Sequence, residues 1–177
     1  MGLNVCGLKS KLGNVIFEEF AKDFDILCLS ETKLSHIDLS GTCLNDYHCF
    51  IKVKTVTTHQ HGGVHGLCMI VKSNIANYAT LITETQSPFV LWVQFSEEAF
   101  GVSCIIGSAY LPGENSVHKD NEIYDIISND IATLKRTFES PICLIGDLNS
   151  RTGNLDDTFS IDQNVISVFS FVALFSI

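Results

Sequence analysis

Residues 142–153 read ICLIGDLNSRTG, in which a nearly continuous apolar run ends at a carboxylate and an amide. The run from Ile142 to Ile145 predicts a buried β-strand, and Asp147 and Asn149 follow where that strand ends. Asp, Asn and Gly are common turn formers, so a turn alone would explain this composition. Residues two apart in an extended chain point to the same side, however, so both side chains could also serve one site.

The composition indicates a single globular domain. The chain has 177 residues, of which 46% are apolar, and this is enough for one hydrophobic core and argues against disorder. The formal charge of −9 disfavours binding of nucleic acid by charge alone. A nucleic-acid enzyme is still compatible with it, because a local basic rim or a bound divalent cation can offset the field.

The seven cysteines do not form a recognisable metal or redox motif, because none of them has CxxC spacing. Five of them lie in apolar runs, where we expect small buried thiols: Cys6, Cys28, Cys68, Cys104 and Cys143. We identify no signal peptide and no transmembrane segment. We therefore expect an intracellular protein, nuclear or cytoplasmic, that does not bind a membrane.

Apolar periodicity predicts many short strands and two amphipathic helices. The predicted strands are Ile26–Leu29, YHCFIKV (47–53), GLCMIVK (66–72), FVLWVQF (89–95) and a segment of GVSCIIGSAYLP (101–112), with a hairpin turn over Ser96–Gly101. The first helix is predicted from Ser10, with Leu12, Val15, Ile16 and Phe20 on its apolar face and Glu18, Glu19 and Lys22 opposite. The second covers Asn121–Phe138 and ends before Pro141, and Trp92 is predicted to be a core aromatic.

This order of elements predicts an α/β fold of the layered type, with mixed sheets covered by helices. A doubly wound nucleotide-binding fold fits less well. The middle of the chain lacks helices, and no GxGxxG motif follows the first strand.

Polar residues recur at the ends of the apolar strands, namely Asn4, Glu31, Tyr110, Asp147 and Asn149. Taken singly, each is more often a turn or cap residue. A carboxylate such as that of Glu31 nevertheless suits a hard cation such as Mg²⁺. Cleavage of a phosphate ester requires such a cation, a positioned water and a donor for the developing charge.

Four motifs occur in a fixed order: LNVCGLKSKL (3–12), DILCLSETKL (25–34), GSAYLPGENS (107–116) and ICLIGDLNSRTG. Together they resemble the endonuclease/exonuclease/phosphatase superfamily, and most closely the apurinic-like endonuclease domain of non-LTR (LINE-type) retrotransposons. CLSETK and GDLNSRTG carry most of this resemblance. It covers residues 1–157 and implies a DNase I-like, four-layer α/β sandwich of two mixed sheets flanked by helices.

The resemblance implies a role for each strand-end residue. Asn4 would position the phosphate and the water, and Glu31 would bind the divalent metal, Mg²⁺ or Mn²⁺. Tyr110 would contact the scissile phosphate, Asp147 would orient or activate the attacking water, and Asn149 would hold the phosphate in the transition state. Asn115 is a weaker candidate for a substrate-binding loop. DNA is the implied substrate, and no small-molecule cofactor is expected.

The sequence departs from the family pattern near its end. The family closes with a Ser-Asp-His motif, but no histidine follows His118, and residues 158–177 form a divergent apolar tail. The resemblance therefore predicts a domain over 1–157 that is incomplete at its C-terminus, a truncated copy. Activity is expected to be weak or absent, since positioned proton transfer contributes about 10²–10⁴-fold.

Two other functions remain open at this stage. The chain could be a phosphatase of the same superfamily that acts on a phosphorylated small molecule, or a folded remnant without catalysis. His59, His61 and His65 crowd one loop, for which an exposed loop is a better explanation than a zinc site. Lysines near the motifs could line a DNA-facing rim or could be solvated surface: Lys9, Lys11 and Lys33.

Overall fold

The structure is a computed structural model that describes residues 1–53, 66–112 and 122–148. The first half forms a four-stranded sheet in the order β1-β2-β4-β3, which we call the N-terminal sheet. Its strands are β1 (Gly2–Asn4), β2 (Ile26–Ser30), β3 (Tyr47–Val53) and β4 (Gly66–Lys72). β1 and β2 are parallel, whereas β4 runs antiparallel to both β2 and β3.

The second half forms a four-stranded sheet in the order β5-β6-β7-β8, the C-terminal sheet. Its strands are β5 (Ala79–Leu81), β6 (Val90–Phe95), β7 (Cys104–Tyr110) and β8 (Ile142–Asp147), of which only β7 and β8 pair in parallel. The helices are α1 (Val15–Lys22), α2 (Ser73–Ala76), α3 (Glu97–Phe100) and α4 (Ile123–Thr137), and a 3₁₀ turn covers Leu8–Ser10.

Alternation of side chains along the strands divides the core into layers. On β4, Leu67, Met69 and Val71 point to one side and lie between the two sheets. Cys68 and Ile70 point to the other side and lie in the cluster that α1 covers. Successive side chains of a strand point to opposite faces, so one apolar strand can fill both layers. The near-continuous apolar sequence of GLCMIVK follows from this burial on both faces.

β6 is divided in the same way. Leu91 and Val93 pack between the sheets, whereas Trp92 packs under α4 beside Ile127 and Leu134. Helix α1, the two sheets and helix α4 thus form four layers. The predicted class, two mixed sheets flanked by helices, is confirmed, and Trp92 is fully buried as predicted.

The strand predictions agree closely with the structure. β3 and β4 have the predicted bounds, and β2 and β6 differ from theirs by one residue each. The hairpin turn between β6 and β7 contains the short helix α3, and it ends at Gly101 with a φ of 75°. The short elements α2 and β5 were not predicted, because four and three residues are too few for a periodic pattern.

The prediction for the first helix is wrong in its start and in part of its face, although Glu19 and Lys22 are exposed as predicted. Asn14 caps the helix, because its Oδ1 accepts hydrogen bonds from the N–H groups of Ile16 and Phe17 at 3.0 and 3.3 Å. α1 therefore begins at Val15, and Val15 and Ile16 are 68% and 80% exposed. The cap rotates the apolar face, so that Ala21 and Phe17 contact the sheet instead.

Glu18, predicted on the solvent side of this helix, is only 3% exposed. Its carboxylate accepts hydrogen bonds from the backbone N–H groups of Cys43 at 2.8 Å and Gly13 at 2.6 Å. These bonds, with Cys43 contributing most, lower the pKa of Glu18. A buried carboxylate therefore joins α1 to two loops.

The prediction of buried cysteines holds only in part. Cys28 and Cys68 are buried and Cys104 and Cys143 are half-buried, but Cys6 is exposed because β1 ends at Asn4. Asn115, Asn149, the histidine-containing loop and the tail 158–177 lie outside the described residues. Within the described ranges, no helix is long and apolar enough to span a membrane.

Candidate active site

The carboxyl ends of four strands meet at one edge of the sandwich. β1 and β2 run in parallel and end at Asn4 and Ser30, with Glu31 next in the chain. β7 and β8 are the parallel pair of the other sheet, and their last residues, Tyr110 and Asp147, lie opposite each other in register. β1 lies beside β8 across the sandwich, so the two pairs of strand ends are neighbours.

The side-chain amide of Asn4 joins the two sheets. Its Nδ2 donates hydrogen bonds to Oε1 of Glu31 and to Oδ2 of Asp147, each at 2.9 Å. An amide nitrogen has two hydrogens, so both are used by carboxylates. Hydrogen bonds to ionised acceptors are stronger than neutral ones, and Asn4 therefore holds the two negative groups close together.

Tyr110 completes this cluster from β7. Burial is the largest influence that raises the pKa of Tyr110 above its usual range. A hydrogen bond with Glu31 and the negative charges of Glu31 and Asp147 raise the pKa further. Tyr110 is therefore a neutral hydroxyl donor at physiological pH.

The backbone around Glu31 is left-handed, with φ of 54°. This conformation costs a residue with a β-carbon roughly 1–2 kcal/mol, so the surrounding structure must hold it. The carbonyl of Glu31 accepts from the N–H of Gly7 at 2.8 Å, and the N–H of Thr32 donates to the carbonyl of Gly66 at 3.1 Å. These bonds fix Glu31 between the loop after β1 and the start of β4.

Asp147 is fixed differently, by close packing of β8 on β7. Gly146, the preceding residue, has a φ of 151°, and a β-carbon there would lie 2.0 Å from the carbonyl oxygen of Ala109. The carbonyl of Asp147 accepts a hydrogen bond from the N–H of Leu111 at 2.9 Å. Glycine at 146 thus permits the strand contact that presents Asp147 beside Tyr110.

The donor set suits a hard cation. Glu31 and Asp147 supply carboxylate oxygens, the ligands that Mg²⁺ and Mn²⁺ prefer. One oxygen of each carboxylate accepts a hydrogen bond from Nδ2 of Asn4, so the two carboxylates are neighbours. Among the described residues, no group of three or more His, Cys, Asp or Glu could hold a metal ion. A cation at this edge would therefore be held by few protein groups, with water or substrate oxygens completing its shell, as is usual for Mg²⁺.

The structure brings together four of the sequence-predicted site residues, Asn4, Glu31, Tyr110 and Asp147. It also adds Cys6, whose N–H and thiol both contact Oδ1 of Asn4. The apolar sequence around Cys6 predicts a core thiol, which this contact does not match. Its position two residues after an Asn is typical of an Asx turn, and that signal could have identified the contact.

The three lysines lie near this edge. Lys9 is in the 3₁₀ turn that follows β1, Lys11 comes directly after it, and Lys33 follows β2 with a left-handed φ of 56°. Lys9 and Lys33 are exposed. Within the part of the chain that the structure describes, none of the three forms an ion pair.

Comparison with solved structures identifies similar folds. The catalytic domain of APE2 from Xenopus laevis has a TM-score of 0.57 at 14% identity, over 83% of this chain and 57% of that chain. The 3'-5' exonuclease NExo from Neisseria meningitidis has a TM-score of 0.55 at 17% identity, over 82% and 56%. An AP endonuclease from Archaeoglobus fulgidus has a TM-score of 0.53 at 18% identity, over 82% and 55%.

No family model matches the sequence. The search of curated proteins also gave no match. The chain spans a little over half the length of the three similar structures. At these identities the likeness concerns the fold, and together with the two mixed sheets and their helices it shows a DNase I-like fold of the endonuclease/exonuclease/phosphatase type.

Proposed function

We propose that this protein is a phosphodiester hydrolase that nicks DNA with a divalent cation, Mg²⁺ or Mn²⁺. One observation carries the proposal: the amide of Asn4 binds the carboxylates of Glu31 and Asp147, which come from different sheets, and Tyr110 bonds to Glu31. Such convergence of two acids, an amide and a phenol at strand ends has no structural necessity. Glu31 and Asp147 are both partly buried. Acids held near one another away from water are costly to a fold, and such clusters are more common at functional sites.

The cation would be held by Glu31, and a bound Mg²⁺ would supply charge stabilisation for a phosphoryl oxygen. The protein's own groups divide the remaining work. Asp147 accepts a proton or a hydrogen bond from the attacking water. Tyr110, kept neutral by its surroundings, would turn its O–H from Glu31 to a phosphate oxygen when the substrate binds. The amide of Asn4 holds the two carboxylates next to each other.

DNA as the substrate is supported by two lines of reasoning. Two similar structures are named as a 3'-5' exonuclease and an AP endonuclease, and a third, the 3' phosphatase NExo from Neisseria, is bound to a product DNA hairpin. Lys9 and Lys33, which form no ion pair within the described residues, follow β1 and β2 in the chain and would contact phosphates. The motifs GDLNSRTG and SAYLPGENS favour the retrotransposon type of endonuclease within this fold.

We propose that these 177 residues nick DNA slowly. The family's closing motif supplies a histidine for proton transfer, and no histidine follows His118 in this sequence. Positioned proton transfer contributes about 10²–10⁴-fold to such reactions. The residues around Asn4 would then provide cation and phosphate binding with little acid–base assistance. Asn149 and Asn115 keep their proposed roles in phosphate and substrate binding.

The test is nicking of supercoiled plasmid with Mg²⁺, with Mn²⁺ and with EDTA. Glu31→Gln and Asp147→Asn should each lower the rate by about 100-fold or more, because each removes a charge that the reaction uses. Glu97→Gln is the matched control, since α3 lies at the opposite ends of β6 and β7 from the site. Its rate should equal that of the unaltered protein.

Other outcomes would indicate the other two functions. Nicking that survives both site substitutions would contradict the site assignment. Release of phosphate from a small phosphomonoester without nicking would favour a phosphatase. Absence of both reactions from a folded protein would favour a non-catalytic remnant.

A further inference from the structure

The side chain of Asn4 uses all of its hydrogen-bonding positions. Its two amide hydrogens are donated to Glu31 and Asp147. Its oxygen accepts from the backbone N–H of Cys6 at 3.1 Å and lies 3.4 Å from the thiol Sγ of the same residue. Cys6 therefore supplies both donors on the oxygen side of this amide.

These contacts decide which way the amide faces. Rotation by 180° would turn the amide oxygen toward two carboxylate oxygens and the NH₂ group toward the N–H of Cys6, so these three contacts would become repulsive, whereas the thiol sulfur could then accept a hydrogen bond. The carboxylates select the orientation from one side and the N–H of Cys6 from the other. The N–H of Cys6 is a backbone group that any residue except proline would supply, so the thiol is the contribution specific to cysteine.

The backbone at Cys6 argues against a purely structural reason for this residue. Its φ is 47°, in the left-handed region that glycine and asparagine adopt more readily than a residue with an ordinary β-carbon. The side chain is exposed, so it does not fill the core. Stability alone would favour glycine at this position.

We propose that Cys6 is a positioning residue, whose thiol donates to Oδ1 of Asn4 and fixes the amide that holds Glu31 and Asp147. The bond restrains the amide in the position that the two carboxylates and the N–H of Cys6 set. The effect of Cys6 on catalysis rests on the proposed nicking activity, whereas its effect on the Asn4 amide does not.

Three substitutions of Cys6 distinguish a positioning role from a purely structural one, because the variants should rank differently in activity and in stability. Cys6→Ser keeps a hydroxyl donor, Cys6→Ala keeps only the N–H, and Cys6→Gly keeps only the N–H and removes the left-handed strain. If Cys6 positions Asn4, the kcat of Cys6→Ser should lie within about twofold of that of the unaltered protein. The kcat of Cys6→Ala and of Cys6→Gly should be about three- to tenfold lower, which corresponds to the loss of one neutral hydrogen bond. KM should not change.

The three variants should rank differently in stability. The melting temperature of Cys6→Gly should lie a few degrees above those of Cys6→Ala and Cys6→Ser, because relief of about 1 kcal/mol of strain corresponds to roughly 2–4 °C in a protein of this size. Activity that follows the melting temperatures, with Gly highest, would overturn the proposal. Activity that is recovered only by Ser would support it.

A second readout is independent of nicking. The side-chain amide signal of Asn4 in ¹H–¹⁵N NMR spectra is assigned by its loss in Asn4→Asp. It should shift and exchange faster with water in Cys6→Ala and Cys6→Gly, and stay close to its original position in Cys6→Ser. Cys43→Ala, which alters the other exposed cysteine, whose N–H donates to Glu18 of α1, is the control and should leave the signal unchanged.

An Asn4 signal that is the same in all variants would overturn the positioning role whether or not the protein nicks DNA. A protein that never nicks DNA but shows the expected changes would contradict the proposed function alone. The positioning of Asn4 by Cys6 would then stand.

Discussion

Two βαβ units of the same topology build this site, but they hold their functional side chains by different means. The N-terminal unit is β1–α1–β2 and the C-terminal unit is β7–α4–β8, and each ends in two polar residues from adjacent parallel strands. In the N-terminal unit the backbone bends into left-handed conformations at Cys6, Glu31 and Lys33. In the C-terminal unit, among the residues described, only glycine has positive φ.

This difference shows two ways to aim a side chain. The N-terminal unit uses strained residues held by hydrogen bonds between loops, such as that between Gly7 and Glu31. The C-terminal unit uses regular strands whose close approach depends on the missing side chain of Gly146. Substitutions should therefore act in opposite directions in the two units: added bulk harms the C-terminal one, and relief of strain helps the N-terminal one.

The largest effect is expected at Gly146. In Gly146→Ala the new β-carbon would overlap the backbone of Ala109, which cannot move without breaking the pairing of β7 and β8. Overpacking combined with positive φ should lower the free energy of unfolding by about 3–4 kcal/mol. Urea denaturation followed by circular dichroism would measure the loss.

Gly101→Ala is the matched control for that substitution. Gly101 has a φ of 75°, but nothing lies within 4 Å of its β-carbon position. Only the conformational strain remains there, and the expected cost is about 1 kcal/mol. Equal losses at the two positions would contradict close packing as the means by which β8 is held.

The next largest effect is expected at Asp130 in α4, which is 4% exposed. Its carboxylate accepts from the N–H groups of Gln86 and Ser87 at 3.0 and 3.1 Å and from Nε1 of Trp92 at 3.3 Å. Asp130→Asn would turn an NH₂ group toward one of these donors. We expect about 2–3 kcal/mol of destabilisation, the cost of a buried unsatisfied group, measured by urea denaturation.

Asp125→Asn, on the exposed face of the same helix, should change stability by no more than about 0.5 kcal/mol. If both substitutions in α4 had the same small effect, Asp130 would not anchor the loop before β6 to this helix.

A smaller, pH-dependent effect is expected at Glu18, the buried acid of the N-terminal unit. Hydrogen bonds from Cys43 and Gly13 lower its pKa in the folded state relative to about 4.3 in an unfolded chain. Its contribution to stability is therefore present above about pH 4.3 and is lost as pH falls through the folded value. Glu18→Gln should differ most from the unaltered protein near neutral pH and converge with it in acid.

Glu19→Gln is the control for this pH dependence, because Glu19 is exposed and pairs with Lys22 on the helix surface. Urea denaturation at a series of pH values between about 3 and 7 would compare the two variants. A difference at Glu18 that stays constant across this range would contradict the linkage.

Helices α1 and α4 also show which buried residues apolar periodicity can predict and which it cannot. In α4 the periodic apolar residues predicted the buried stripe of Ile123, Ile127 and Leu134. The same pattern failed in α1, because the cap at Asn14 sets the helix start and the burial of Glu18 depends on donors from distant loops. Asp130 was missed because a single polar residue on an apolar face leaves no periodic signal.

The site illustrates the same limit. Local sequence identified where apolar strands end in polar residues, but each end could have been an ordinary turn. The resemblance of the ordered motifs selected Asn4, Glu31, Tyr110 and Asp147, and the pairing of strands far apart in sequence brings them together. The spacing of Asn4 and Cys6 could have indicated the contact of the backbone N–H, whereas the left-handed backbone at Cys6 and the contact of its thiol were not predicted.

The smallest effect in this comparison, a gain in stability, is expected at Lys33. This exposed residue has a φ of 56°, so Lys33→Gly should relieve left-handed strain of roughly 1–2 kcal/mol and lose part of it to the greater freedom of an unfolded glycine. We expect a net gain of about 0.5–1 kcal/mol in urea denaturation.

Lys9→Gly is the matched control, since Lys9 lies in the 3₁₀ turn without positive φ. It should lower stability by about 0.5–1 kcal/mol, because glycine there adds freedom to the unfolded chain without relieving strain. Opposite signs at the two lysines would show that the N-terminal unit stores strain beside its site. A loss at both would mean that the left-handed backbone at Lys33 is not strained, and the contrast between the units would then rest on the close packing at Gly146 alone.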